Sequence, residues 1–397
     1  MENKTFELPY QVKLIIEEIE KSGHAAHIVG GCVRDILLGK IPNDYDITTS
    51  ASPDELKEIF RNRRTVDTGI KHGTLTVIIE GEPYEVTTYR VDGEYSDSRH
   101  PDSVTFTLNL HEDLSRRDFT VNAMAYSERE GLCDLHFGRE DLKSRIIRAV
   151  GDASVRFTED ALRILRALRF ASTLDFEIEK ETARAIFLKK ELLSFVSRER
   201  IYAEWKKLIG GVGARRVIAD FREVIESFIP SINAVALYNA DFDKASAEIR
   251  ELYLFATSGK ENCAEIFDGA MTELRSDNKH KTFGVSVLSA TDEPVETDID
   301  IKLLLIRCGR NVARGVIALK TLLGTVNDKA KDSLEEILSS GFCYRISDMK
   351  IDGNDIKALG YKGRRVGEIL NSLLYEIAEG KLGNNREELI KRVAEIG

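Results

Sequence analysis

The sequence predicts an α+β protein, a mixed α/β head followed by an all-α extension. Short β-rich runs are confined to about the first 140 residues. Pro230 and Pro294 are the only prolines after Pro101. Beyond the head, apolar residues recur at spacings of three and four, as in Leu162, Leu165 and Leu168, and later in Leu303, Leu304 and Leu305 with Ile317, Leu319 and Leu322.

Each element follows from its own pattern. Leu14, Ile15, Ile16 and Ile19 have helical spacing, and His27, Ile28 and Val29 then form a short apolar strand running into Gly30 and Gly31. Asp44 to Thr48 alternates as a strand does. Leu75–Ile79 and Tyr84–Arg90 are β-rich runs joined across Gly81, Glu82 and Pro83, which predicts a hairpin. A polar loop containing Arg99, His100, Pro101 and Asp102 precedes Arg116–Tyr126, where a helix would set Asp118 and Asn122 one turn apart.

With 397 residues, the chain exceeds one ordinary core at roughly 150 residues per domain. Its apolar content of 42% and charged content of 31% describe a globular protein. The start lacks a basic-then-apolar leader, and no run of about 18 apolar residues occurs, so a cytoplasmic protein without a membrane span is expected. The five cysteines are scattered, with no C-x-x-C pair, which argues against a disulfide framework or structural zinc. A net charge of −10 opposes nucleic-acid binding in bulk, so local charge must decide that question. Oligomeric state is not legible.

The chemistry concentrates in residues 30 to 49. A strand aims residues i and i+2 at one face, so Asp44 and Asp46 can share a metal site. Mg²⁺ prefers oxygen ligands and keeps several waters, so these carboxylates with substrate phosphates would suffice, and Glu85 on the hairpin is a candidate third. Gly30 and Gly31 let backbone N–H groups approach phosphate oxygens. Each part has a plainer use: Asp-x-Asp as a solvated turn, Arg34 with Asp35 as a surface ion pair, Asp118 as a helix cap. Arg116 and Arg117 suit either phosphate or a neighbouring carboxylate.

Gly30-Gly31-x-Val33-Arg34-Asp35, Asp44-Tyr45-Asp46, Glu85 to Arg90 and Arg116 to Ala125 together resemble the bacterial class II tRNA nucleotidyltransferases, the CCA-adding enzymes, and their poly(A) polymerase relatives. Glu159 to Arg166 and Ser197 to Arg200 continue the resemblance in order, over roughly residues 25–205. It implies a polymerase-β-like nucleotidyltransferase head, a small mixed sheet with helices on one side, followed by an elongated all-α neck, body and tail. The expected divisions are a catalytic head at 1–139, a base-recognising neck at 140–215, a body at 216–320 and an RNA-binding tail at 321–397. It further implies Mg²⁺-dependent addition of C, C and A to a tRNA 3′ end from CTP and ATP. An A-adding or CC-adding enzyme, a poly(A) polymerase, or a non-catalytic RNA-binding protein are the alternatives. Absence of any His-Asp dipeptide predicts no appended phosphohydrolase activity.

Resemblance assigns ribose selection to the segment holding Asp118 and Asn122, and base reading to the helix carrying Asp160, Arg163 and Arg166. An apolar face formed by Ala161, Ile164, Leu165 and Leu168 should pack, leaving the polar face for solvent or ligand. Asp160 accepts and Arg163 donates, which matches the exocyclic amino group and ring acceptor of cytosine and adenine. Uracil and guanine carry N–H at that ring position. Ion pairs on an amphipathic surface helix are the plainer interpretation. Asp92 to Val104 occupies the position of the family's flexible loop, or is a surface connection. Two basic groups suit an RNA backbone: Arg139, Lys143, Arg145 and Arg148, and Lys362, Arg364 and Arg365, the latter alternatively a helix-capping turn.

Overall fold

The computed structural model describes residues 6–93, 104–232 and 241–396. The chain divides into two compact units, 1–230 and 231–397, a boundary that falls inside the 216–320 stretch expected to form the body.

The first unit is organised by a seven-stranded mixed sheet. In chain order, β1 is Ala26–Val29, β2 Asp46–Thr49, β3 Arg64–Val66, β4 Thr74–Ile79 and β5 Glu82–Thr88. A separate antiparallel ribbon joins β6 (Arg90–Asp92) to β7 (Val104–Phe106). The sheet resumes with β8 (Met124–Ser127) and β9 (Gly131–Asp134), giving the order β3-β4-β5-β2-β1-β8-β9. Within this sheet, among the described residues, only the β2–β5 pairing is parallel. Helices Tyr10–Lys21, Gly31–Leu37 and Pro53–Ile59 pack against this sheet. Val12, Ile15, Ile16 and Ile19 supply the buried face of the first.

Local chemistry explains these elements. β4 alternates half-buried and buried residues, as a strand covered on one face must. It turns into β5 through Glu80 and Gly81, with φ of 53° and 92°. Two successive positive φ values are those of a type I′ hairpin turn. Asp46 opens β2, whereas Asp44 lies just before the strand, so the expected run from Asp44 begins two residues late.

Residues 116–126 depart from the expected helix. A single 3₁₀ turn, Thr120–Asn122, leads directly into β8. The sheet wins because β8 pairs on both edges, with β1 and β9, which a helix there would forfeit. Most of the predicted flexible loop, including Arg99, His100, Pro101 and Asp102, lies outside the described residues.

After β9 the unit is helical apart from a two-residue parallel ladder of β10 (Ile146–Ile147) and β11 (Glu177–Ile178). The Leu162–Leu174 helix packs against Arg198–Ile209. Residues on nearly every side of it are buried, including Arg163, while Arg166 and Arg169 are half-buried, so only part of its polar stripe looks into solvent. A Cβ at Gly211 would fall 2.1 Å from Ser172 Oγ and 2.6 Å from the Ser172 carbonyl carbon, so glycine permits the close approach.

The second unit is helical among its described residues. Its Asp298–Leu322 helix is interrupted at Gly309, whose φ of 75° and ψ of 170° suit only glycine. A terminal core gathers Met349, Ile356, Ile369, Leu373, Leu389 and Val393.

Candidate active site

β1 ends in Gly30, which has φ 79° and ψ −128° and caps the Gly31–Leu37 helix. A Cβ there would lie 3.1 Å from Arg117 Nη1 and 4.0 Å from Asp46 Oδ2. The glycine bend, the first carboxylate of β2 and an arginine therefore converge within the first unit. The Gly30 N–H donates to the Met124 carbonyl at 3.1 Å, which ties the bend to β8 and removes that donor from phosphate binding. Gly31 stands at the start of the helix, where N–H groups lack intrahelical acceptors.

Asp46 has an open side to solvent, yet crowding by neighbouring atoms is the largest influence raising its pKa. The Asp44 and Glu85 carboxylates push it further up, and Arg117 opposes them. The parallel register sets Ile47 beside Val86, with both buried, so Asp46 and Glu85 emerge together on the opposite face. Among the described residues no group of three His, Cys, Asp or Glu side chains is arranged to hold a metal ion. Cys32, next to this site, donates to the Val29 carbonyl at 3.3 Å, and burial pushes its thiol up to about 12.

Behind the carboxylates Arg116 and Arg117 meet the neighbouring carboxylate that their sequence allowed, and it is Asp113, which sequence reasoning did not name. Asp113, wholly buried, accepts from Arg116 Nε and Nη2 at 2.9 and 2.8 Å and from Arg117 Nη2 at 3.2 Å. Thr48, on the Asp46 face of β2, adds a hydrogen bond to it at 3.3 Å. Burial alone would raise the Asp113 pKa, but Arg117 and Arg116 together bring it below the usual carboxylate value. The signal was available in the i+3 and i+4 spacing of the arginines from Asp113. Arg117 Nε is buried without a hydrogen-bond partner among the described residues.

Asp118 and Asn122 do meet, without the predicted helix. Asn122 Nδ2 donates to Asp118 Oδ1 at 3.2 Å, and the Phe119 N–H donates to the same oxygen at 2.8 Å. Arg166 closes on Asp118 Oδ2 through Nε at 2.8 Å and Nη2 at 2.6 Å. Although burial acts to raise it, the Arg166 guanidinium and these hydrogen bonds hold the Asp118 pKa down at about 2. Arg34 donates to Asn122 Oδ1 at 2.7 Å and to Asp35 at 2.9 Å, so its predicted ion pair is real and also reaches the ribose-assigned segment.

The expected base readers are adjacent but engaged with other partners. Asp160 accepts from the Leu162 N–H at 3.0 Å and from Arg200 at 3.2 Å. Arg163 donates to Glu159 at 2.6 Å, to the Arg156 carbonyl at 3.2 Å and to the Arg116 carbonyl at 3.1 Å. Those three bonds leave two of the five guanidinium N–H groups uncommitted. Arg200 Nη1 is buried without a hydrogen-bond partner among the described residues. The arginine row continues to Arg169, whose guanidinium carbon lies 3.8 Å from the Phe170 ring centre. Its i+3 spacing from Arg166 could have revealed it.

The basic groups expected to meet RNA are partly neutralised. Arg145 pairs with Asp175 at 2.8 Å, and Arg148 reaches Asp141 at 3.1 Å and Glu179 at 3.6 Å. Arg139 and Lys143 are exposed on the Gly138–Ser144 helix. In the second unit Lys362 is exposed, while Arg364 and Arg365 begin the Arg364–Ala378 helix and pair with Glu368 at 3.2 and 3.3 Å. The positive φ of Gly363 fits the capping-turn alternative for that spot.

Comparison with known proteins agrees with this geometry. The family described as "Poly A polymerase head domain" matches residues 26–148, and "Probable RNA and SrmB- binding site of polymerase A" matches 175–234. A CCA-adding enzyme of Ligilactobacillus salivarius is 35% identical over 414 aligned positions, covering 96% of this chain and 95% of that protein. One from Lactobacillus delbrueckii is 50% identical over 211 residues, 53% of each chain. The crystal structure of the Bacillus stearothermophilus CCA-adding enzyme in complex with CTP superposes with a TM-score of 0.80 at 32% identity, covering 98% of both chains.

Proposed function

This chain belongs to the family of CCA-adding enzymes, and on that premise we propose that it adds C, C and A without a template to the 3′ end of tRNA from CTP and ATP, releasing pyrophosphate. The observation that carries the proposal is the convergence of Gly30, Asp46 and Arg117 beside the arginine-bearing Leu162–Leu174 helix.

Nucleotidyltransferases of this kind use a divalent metal ion, and although no three side chains form a ready cluster among the described residues, the neighbouring carboxylates with substrate phosphates suit a hard one. Asp44, Asp46 and Glu85 are oxygen donors, and burial first, then the charges of Asp44 and Glu85, raise the Asp46 pKa, a cost that a cation would relieve. We assign Mg²⁺ to Asp44 and Asp46, with Glu85 assisting. Bound there, the metal would supply Lewis acidity toward the α-phosphate and the attacking 3′-hydroxyl.

The chain's own groups account for the rest. Arg34 and Arg117, with the N–H of Gly31, bind the triphosphate. Arg116 contributes mainly by fixing Asp113 and offering its carbonyl to Arg163. Asp118 and Asn122, locked by Arg166, favour a ribonucleotide. Asp160 and the remaining Arg163 donors read the base edge, with Arg200 holding Asp160 in place. A good bidentate match of this type discriminates by about 1–3 kcal/mol. Catalysis is then largely positioning and electrostatic stabilisation, as is usual for transfer at phosphorus.

Arg139, Lys143, Arg145 and Arg148, and separately Lys362, Arg364 and Arg365, are assigned to the RNA backbone, and head, neck, body and tail to the divisions expected from sequence. The deciding experiment offers tRNAs ending before the first C, after CC and at full length, with all four nucleotides and Mg²⁺, and sequences the products. Restoration to CCA followed by arrest is the expected result. A homopolymeric A tail, or addition only to one substrate, would overturn it.

A further inference from the structure

Phe170 follows directly on the arginine row, at i+4 from Arg166 and i+1 from Arg169 on the Leu162–Leu174 helix. Three guanidinium groups gather on its ring. Their central carbons lie 5.2 Å from the ring centre for Arg34, 5.4 Å for Arg166 and 3.8 Å for Arg169. The ring itself is buried and is braced by Phe119, the residue after Asp118, edge-on at 5.8 Å with an interplanar angle of 78°.

Three like charges around one site repel, and each is paired directly with a carboxylate that offsets it. Arg34 has Asp35, Arg166 has Asp118 and Arg169 has Glu204. The third pair is imperfect: Arg169 Nε lies 3.1 Å from Glu204 Oε2, yet both atoms are buried without a properly aligned hydrogen bond. Carboxylates also grip a guanidinium only along its edge, and the Arg169 grip is the weakest of the three. An aromatic face restrains the plane, because its quadrupole attracts a cation stacked over it. An aliphatic side chain of similar volume would fill the space without that attraction.

We infer that Phe170 is a positioning residue for nucleotide binding, its ring holding Arg34, Arg166 and Arg169 pre-oriented for the incoming triphosphate and ribose. This rests on the nucleotide site proposed above. Arg34 reaches that site from the glycine bend, and Arg166 through Asp118, so the ring joins two elements that bind one ligand from different sides. Phe170 itself donates and accepts no proton in the reaction. Its influence belongs in nucleotide affinity.

The test replaces Phe170 in the full chain with mono-, di- and trifluorinated phenylalanine, which drains the ring face of negative charge while nearly preserving shape. Steady-state CTP incorporation into trimmed tRNA gives KM and kcat, and Phe170→Leu is measured alongside. KM for CTP should climb stepwise with fluorination, to roughly tenfold at the trifluoro ring, with kcat within about twofold. The leucine variant should show the same rise in KM. A flat KM across the fluorinated series in an active enzyme overturns the inference. So does a fall in kcat in step with the melting temperature, because that marks a purely structural ring. If the unmodified protein incorporates no CTP, it is the functional reading that fails instead.

Discussion

Asp44 and Asp46 occupy unlike settings although two residues apart: Asp46 opens β2 and feels Glu85, while Asp44 precedes the strand. Asp44→Ala should therefore abolish nucleotide incorporation with little change in unfolding. The lone tryptophan, Trp205, is buried in the first unit, so its fluorescence reports that unit's melting directly. Retained incorporation would remove the metal assignment. Asp118 invites a pH experiment with a definite sign. Its pKa falls from an ordinary 3.8 to about 2 in the fold, so its stabilising contribution is complete above the unfolded value and disappears as pH drops from there toward 2. The shift, already net of the desolvation that opposes it, corresponds to roughly 2 kcal/mol. Acid melts followed by Trp205 fluorescence should steepen between those limits, and Asp118→Asn should remove that steepening. The residues were largely legible because their types dictate what they can donate or accept. Their partners were not: nothing in the order of the chain says that Asp113 binds Thr48 or that Arg200 binds Asp160.

At the scale of elements, local pattern and tertiary demand usually agree, as in the Tyr10–Lys21 helix and the β4–β5 hairpin. They conflict over residues 116–126, where the expected helix yields to a strand paired on both sides. Asp118 and Asn122 still come together there, because Asn122 closes the Thr120–Asn122 turn and its side-chain amide reaches back to Asp118, which stands just before the extended Phe119. The Leu162–Leu174 helix shows a different mismatch. Its polar stripe was assigned to solvent or ligand, but the stripe meets Asp118 and the Arg116 carbonyl, so much of it is protein-facing. Its approach to Arg198–Ile209 depends on Gly211. Gly211→Ala should force the Ser172 backbone to move, costing about 1–3 kcal/mol, measured as a lower denaturant midpoint for Trp205 fluorescence. An unchanged midpoint would mean that the two helices tolerate separation.

For the whole molecule, a net charge of −10 is compatible with the proposed RNA substrate because binding responds to local field rather than to the sum. Affinity for tRNA should fall with salt at a log–log slope of about −0.7 to −0.9 per neutralised phosphate. Filter binding between low and physiological salt measures it, and a flat response would refute backbone contacts by the two basic groups. Among the described residues no helix is long and apolar enough to cross a membrane. The sequence by itself determined the family, the order of α/β and α regions, and the chemical types at the site, since motif spacing and hydrophobic period are properties of the chain alone. Only the tertiary structure decided which acceptor each arginine meets, that Gly30 spends its N–H on β8, and that one ring gathers three guanidinium groups. Those outcomes depend on close packing between segments distant in the chain, and packing is set by the whole fold's competition for buried partners rather than by any local preference.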